Sequence, residues 1–237
     1  MSVERAIRLI GGNDDKTSSF CLAACHAFEI AANANAIYRH NFASDQVPHF
    51  TLMEQQIERL TSLPTIYDDD DSQVDVIWTL SPPCQPFTHK PGANHLDVQD
   101  TRCRGIQDGV LRLLQEAVHK PRWILLENVK GFADSTMCRL WQETLTQCEY
   151  TWKEYLLSPT QLGIPNHRMR YYLIAEHSQR FATTEMGRII HTTLSQRRAR
   201  NASVRPLSEY IDASADADLR LRVPDTVWEK SWAHELD

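Results

Sequence analysis

The chain has no basic excess. Its 237 residues carry 25 Lys and Arg against 31 Asp and Glu, a formal net charge of -6, and its pI is about 5.9. A global positive field is thereby excluded as the means of holding nucleic acid, and any such partner needs a local basic surface. The chain also has no apolar run long enough to cross a bilayer. Met1 to Ile10 carries charges throughout, unlike a secretory leader. The expectation is an intracellular protein of the cytoplasm or nucleus with no membrane contact, so the glycosylation-type triplet Asn201-Ala202-Ser203 reads as accidental. The six cysteines, Cys21, Cys25, Cys84, Cys103, Cys138 and Cys148, include no C-x-x-C pair, and the ten histidines show no ligand spacing. Neither a disulfide framework nor a metal site is expected.

What is present is enough apolar content, 42% of residues, for one packed domain with or without a tail. Hydrophobic periodicity predicts alternating strands and helices. Phe20 to Phe28 reads as a strand, Ala31 to Phe42 as a helix and Val74 to Leu80 as a strand halted by Ser81-Pro82-Pro83. Gly105 to His119 reads as an amphipathic helix with Val110, Leu113, Leu114 and Ala117 on one face. Trp123 to Leu126 is the next strand, and Asp134 to Gln147 the next helix. Tyr150 to Leu157 and Tyr171 to Ala175 follow with a turn-rich loop between them, which makes them an antiparallel pair. The alternation predicts an α/β fold, a mostly parallel sheet with helices on both faces and an antiparallel strand toward the C-terminus. The acidic run Asp68 to Asp71 reads as a solvated loop. Beyond His177 the pattern weakens into a basic stretch, Arg188 to Arg205, and an acidic one, Asp212 to Asp218.

Three constellations carry chemistry. The first is Ser81-Pro82-Pro83-Cys84-Gln85-Pro86-Phe87-Thr88, at the end of a strand. Prolines on both sides hold Cys84 in a stiff, non-helical loop, and ligands of open parallel sheets sit at the carboxyl ends of strands. Cys84 is therefore either a nucleophile or an incidental thiol in a turn. The second is Glu127-Asn128-Val129-Lys130-Gly131 at the end of the neighbouring strand, about 4.8 Å away in a sheet. The Glu127 carboxyl can face the same bound ring or cap the following helix, with Asn128 and Val129 shaping the turn. The third is Asn166-His167-Arg168-Met169-Arg170. If the last strand begins there, Arg168 and Arg170 project to one side, as a phosphate or carbonyl clamp or as paired surface charges.

Together these pieces resemble the cytosine-5 methyltransferases, with their PCQ nucleophile motif, ENV motif and QxRxR motif, here with Asn166 in place of the Gln. The wording is closer still to the tRNA-methylating, DNA-methyltransferase-2-like branch, which modifies the aspartate tRNA anticodon loop. The markers are SPPCQPFT (81–88), LLENVKGF (125–132), LLSPTQLGIPN (156–166) and RMRYYLIA (168–175), and the likeness runs from about residue 20 to 177. It implies a class I, Rossmann-like methyltransferase fold and S-adenosylmethionine as cofactor. It further implies that Cys84 attacks carbon 6 of a cytosine, that Glu127 hydrogen-bonds ring nitrogen 3 and the amino group, and that Arg168 and Arg170 position base and backbone. Glu29 would hold the cofactor ribose, Ile57 and Glu58 would flank its adenine, Ser81 would lie near its methionine end, and Gly11-Gly12 would supply the turn beneath it. Read without the resemblance, Glu29 and Glu58 are surface charges and Gly11-Gly12 an ordinary turn. A base already in a loop costs least to extrude, which favours tRNA over duplex DNA.

The chain departs from the family pattern at both ends. Leu9 stands where the family's turn has a glycine, and the aromatic before it is missing. Val204 to Tyr210 resembles the stretch before the family's recognition domain, and Asp237 follows soon after, so the reading is a shortened form. The expected division is a catalytic domain over 1–177, with its first cofactor motif incomplete, and a linker or tail over 178–237. Two rival readings remain: DNA cytosine methylation by the same residues, and a catalytically impaired binding protein.

Overall fold

The computed structural model describes residues 4–11, 20–42, 50–61, 74–88, 96–177, 190–192 and 206. The acidic runs 68–71 and 212–218 lie outside these residues, as do Gly12 and most of the basic stretch 188–205. The described strands are β1 (Glu4–Gly11), β2 (Phe20–Phe28), β3 (Phe50–Met53), β4 (Val74–Leu80), β5 (Trp123–Val129), β6 (Tyr150–Leu157), β7 (Arg170–His177) and β8 (Ile190–His191). They form one sheet of order β3-β2-β1-β4-β5-β7-β6-β8. β2, β3, β4, β5, β6 and β8 share one direction, and β1 and β7 run against it. This is the expected α/β arrangement of mostly parallel strands with an antiparallel strand, β7, near its C-terminal end.

Two βαβ crossovers build the parallel part. Helix α1 (Ala32–Phe42) lies between β2 and β3, and a longer helical segment lies between β4 and β5. That segment, expected as one α-helix over 105–119, opens as a π-helix (Gly105–Leu111) and continues as α2 (Arg112–Glu116). Helix α3 (Thr136–Gln147) begins where the Ser135 hydroxyl accepts the Cys138 N–H at 3.0 Å. Its buried stripe Met137, Cys138, Trp141, Thr144 and Leu145 follows the helical period.

The sheet's own period of two decides where the core sits. Val76, Trp78 and Leu80 on β4, Ile124 and Leu126 on β5, and Tyr171, Leu173 and Ala175 on β7 are buried. They form one cluster with Ile106, Val110, Leu113 and Leu114 of the helical segment and with Met137, Trp141 and Leu145 of α3. The intervening residues point the other way. Leu125 and Ile174 face each other across β5 and β7 and are 39% and 47% exposed.

Besides β7, one further strand runs against the parallel set: β1 pairs antiparallel with both β2 and β4. Only residues 12–19 separate β1 from β2, and a parallel crossover takes about a dozen residues or more. The short link leaves a hairpin as the solution. Beyond β7, Ile190 and His191 pair with Glu154 and Tyr155 as a short parallel edge strand.

Candidate active site

The carboxyl ends of β2, β4 and β5 and the start of β7 come together along one edge. Register places Leu80 beside Leu126 and Val129 beside Arg170. Cys84 follows β4 after Ser81-Pro82-Pro83 and opens a single 3-10 turn, Gln85–Phe87. Its carbonyl accepts the Phe87 N–H at 3.0 Å and the Thr88 hydroxyl at 2.9 Å. The turn is anchored by buried Pro86 and Phe87, the Phe87 ring meeting Phe132 edge-on with centroids 5.0 Å apart. The thiol is partly exposed on this rigid mount, whereas Cys25, Cys103, Cys138 and Cys148 are buried. Burial pushes the Cys103 thiol up to about 12, with Asp100 and Asp97 adding to it, and burial also raises Cys148.

β5 continues past the expected Leu126 to Val129, so Asn128 lies in the strand rather than in a turn. Its side chain points to the core face, 1% exposed. There Nδ2 donates to the Pro82 carbonyl at 3.3 Å, and Oδ1 accepts the Val129 N–H at 2.8 Å. Asn128 thus ties the cysteine loop to β5. The available signal was an amide at a position where the alternation Ile124, Leu126, Asn128 calls for an apolar residue.

Glu127 points to the opposite face and pairs with Arg170, Oε1 to Nε at 3.2 Å, the side chains 38% and 18% exposed. Arg170 also donates to the Met169 carbonyl at 2.9 Å. Arg168 does not share this geometry. The strand begins at Arg170, so the period-two argument stops short of residue 168, whose side chain is exposed. Its backbone N–H donates to the Ser158 hydroxyl at 3.2 Å and to the Asn166 carbonyl at 3.1 Å.

Beside this edge lies a cleft of about 700 Å³. Its walls include Phe28, Glu29 and Ile30 at the end of β2, Ile57 and Glu58 on a 3-10 turn (Ile57–Arg59), Pro83 of the cysteine loop, and Arg102 and Gly105. Glu29 is 4% exposed. Its Oε1 accepts the N–H groups of Ile30 and Ala31, both at 2.8 Å, at the start of α1. Its Oε2 is buried with no hydrogen-bond partner among the described residues, an acceptor available to a hydroxyl donor in the cleft. Arg102 is held by Asp100, Nε to Oδ1 at 2.8 Å. That bond, with the Arg102 backbone N–H, lowers the Asp100 carboxyl from 3.8 to about 2.

Of the residues expected at the cofactor, Glu29, Ile57 and Glu58 line this one cleft; Ser81, half-buried at the strand end, is not among the residues lining it, while Pro83 is. Gly11 is elsewhere. Because β1 is reversed, Ile10 pairs with Val74 and Gly11 with Phe20, at the far end of β4 from the cysteine loop. Seven residues of strand put roughly 20 Å between them. Among the described residues no His, Cys, Asp and Glu group could hold a metal ion, and no helix is long and apolar enough to cross a membrane.

Residues 10–230 match the model of the C-5 cytosine-specific DNA methylases. The human tRNA (cytosine(38)-C(5))-methyltransferase is 37% identical over 169 residues, 70% of this chain but 40% of that protein. The Spodoptera frugiperda enzyme of the same name is 34% identical over 203 residues, 85% of this chain and 55% of the relative. The chain therefore spans about half the length of such relatives. A crystal structure of a Spodoptera frugiperda DNMT2 variant superposes with a TM-score of 0.58 at 30% identity, over 79% of this chain and 51% of the other.

Proposed function

The chain belongs to the C-5 cytosine-specific DNA methylase family, and from that premise we propose that it methylates carbon 5 of cytosine in RNA, with a tRNA anticodon loop as substrate. What supports this reading is Cys84 on its proline-held mount after β4, the Glu127–Arg170 pair on the adjoining β5 and β7, and the cleft lined by Pro83 and Glu29. The cleft fits S-adenosylmethionine. Glu29 has a buried, unpartnered oxygen for a ribose hydroxyl, and Phe28, Ile57 and Gly105 offer apolar or small surfaces for a purine. S-adenosylmethionine, when bound, supplies the methyl group.

The chain's own residues account for the rest. The Cys84 thiolate adds to carbon 6 of the cytosine, which makes carbon 5 nucleophilic. After methyl transfer, loss of the carbon-5 proton expels the thiolate and restores the ring. Glu127 hydrogen-bonds ring nitrogen 3 and the exocyclic amino group, stabilising charge that develops during attack. Arg170 fixes the carboxylate of Glu127, and Arg168, on the exposed loop beside it, contacts the RNA backbone. The catalytic body in this reading is residues 1–177 together with β8, and the rest of 178–237 is a linker or tail by its sequence. The site of action is the cytoplasm or nucleus. RNA is preferred over duplex DNA because a loop base is already unstacked, and relatives at 37% and 34% identity are named as tRNA methyltransferases.

The test is mechanism-based trapping. tRNA carrying 5-fluorocytosine should form a covalent complex in the presence of S-adenosylmethionine, and Cys84→Ala should abolish it. An adduct that survives the substitution removes Cys84 from this role. Equal trapping by duplex DNA would move the substrate assignment to DNA.

A further inference from the structure

We infer that Gly109 and Arg112 are positioning residues for the cofactor, setting from behind the height of the Ile57–Glu58 turn in the cleft. The inference rests on the assignment of that cleft to S-adenosylmethionine. The turn and the helical segment over 105–116 pack directly together at Gly109, which is buried. A Cβ there would fall 2.7 Å from Ile57 Cγ2, 3.1 Å from the Glu58 nitrogen and 3.2 Å from the Ile57 carbonyl carbon. Two of these three atoms are backbone, so the conflict is not relieved by a rotamer change; the turn itself has to move. At Gly105, one helical turn earlier, the nearest atoms would be 3.7 and 3.8 Å away, ordinary contact. The requirement is local to Gly109. Glycine is a poor residue inside a helix, and close packing is what it provides here.

Arg112 holds the other end of the same turn. Its Nη2 donates to the Leu60 carbonyl, its Nε to the Asp108 carbonyl at 2.8 Å and its Nη1 to Glu116 at 2.7 Å. Leu60 in turn donates its N–H to the Ile57 carbonyl at 3.1 Å. One guanidinium therefore joins the end of the turn to the helix that bears Gly109. The residue that supplies the packing surface and the one that supplies the hydrogen bond are three apart, on neighbouring positions of one helix face. Neither Gly109 nor Arg112 is among the residues lining the cleft; both act through Ile57 and Glu58.

Calorimetric titration with S-adenosylhomocysteine, well below each protein's unfolding midpoint and with far-ultraviolet circular dichroism as the fold control, tests this. Gly109→Ala should weaken binding about tenfold, or about 1.4 kcal/mol. Arg112→Met, which keeps the stem and loses the donors, should weaken it about threefold to tenfold, the worth of one hydrogen bond, and Arg112→Lys should recover part of the loss. In turnover assays the cofactor KM should rise while kcat at saturating cofactor and the KM for tRNA stay as in the wild type. Folded variants that bind S-adenosylhomocysteine as the wild type does, or an effect confined to the unfolding midpoint, would overturn the positioning role. Absence of binding by the wild type would instead overturn the cleft's assignment, and the positioning role with it.

Discussion

Glu127 and Arg170 form a partly exposed pair at 3.2 Å, and an ion pair of that exposure contributes about 0–1 kcal/mol to stability. The pair matters for where it holds the carboxylate. Glu127→Gln should leave thermal stability nearly unchanged and lower the rate of methyl transfer about 10²- to 10³-fold, the cost of losing one transition-state stabiliser. Single-turnover assays on tRNA measure it, and a wild-type rate would remove the carboxyl from the chemistry. Asp100 acts on the fold instead. The Arg102 side chain holds its folded-state value at about 2, below the ordinary 3.8. A depressed carboxyl stabilises the native state above its unfolded value and loses that contribution as pH falls through the folded one. The stabilisation should be complete above about pH 4 and disappear between about 4 and 2. Acid titration followed by tryptophan fluorescence should show Asp100→Asn unfolding at higher pH than the wild type, and coincident curves would exclude the linkage.

At the scale of elements, the cysteine loop is held by a strand it does not belong to. Asn128 is on β5, and its Nδ2 is the donor to the Pro82 carbonyl, 46 residues away in the chain. Asn128→Ala should destabilise the protein by about 1–3 kcal/mol, the cost of leaving a buried polar group unpaired. It should also slow adduct formation at Cys84, because a displaced loop misplaces the thiol. Denaturant titration and the 5-fluorocytosine trap read the two effects separately, and normal trapping would show that the prolines alone hold the loop. Strand limits followed from local pattern: the alternation of VDVIWTL and YTWKEYLL marks β4 and β6 to the residue. Local pattern fails at Glu127 and Asn128: it ends the strand at Leu126, whereas β5 runs on to Val129. Polar residues look like a terminus unless one sees their partners, and here the partners are the Pro82 carbonyl and Arg170.

For the whole molecule the decisive feature is the reversal of β1. Glu29, Ile57 and Glu58 gather at one cleft, while Gly11 pairs with Phe20 at the other end of the sheet. Under the proposed assignment, a cofactor in the cleft has no contact with Gly11. Its affinity should be about 100 μM or weaker, roughly -5.5 kcal/mol. Titration calorimetry with S-adenosylmethionine checks this, and low-micromolar binding would show that the remaining walls suffice. The sequence by itself determined β2, β4, β6 and α1, the cores of β5, β7 and α3, the place of Cys84 after β4, and the family, because these depend on periodicity, on proline stiffness and on short motifs whose residues are neighbours in the chain. The tertiary structure alone decided the direction of β1, the separation of Arg168 from Arg170, the role of Asn128 and the packing of Gly109 on the Ile57 turn. Each of these depends on loop closure or on contacts between residues distant in sequence, and no local pattern encodes them.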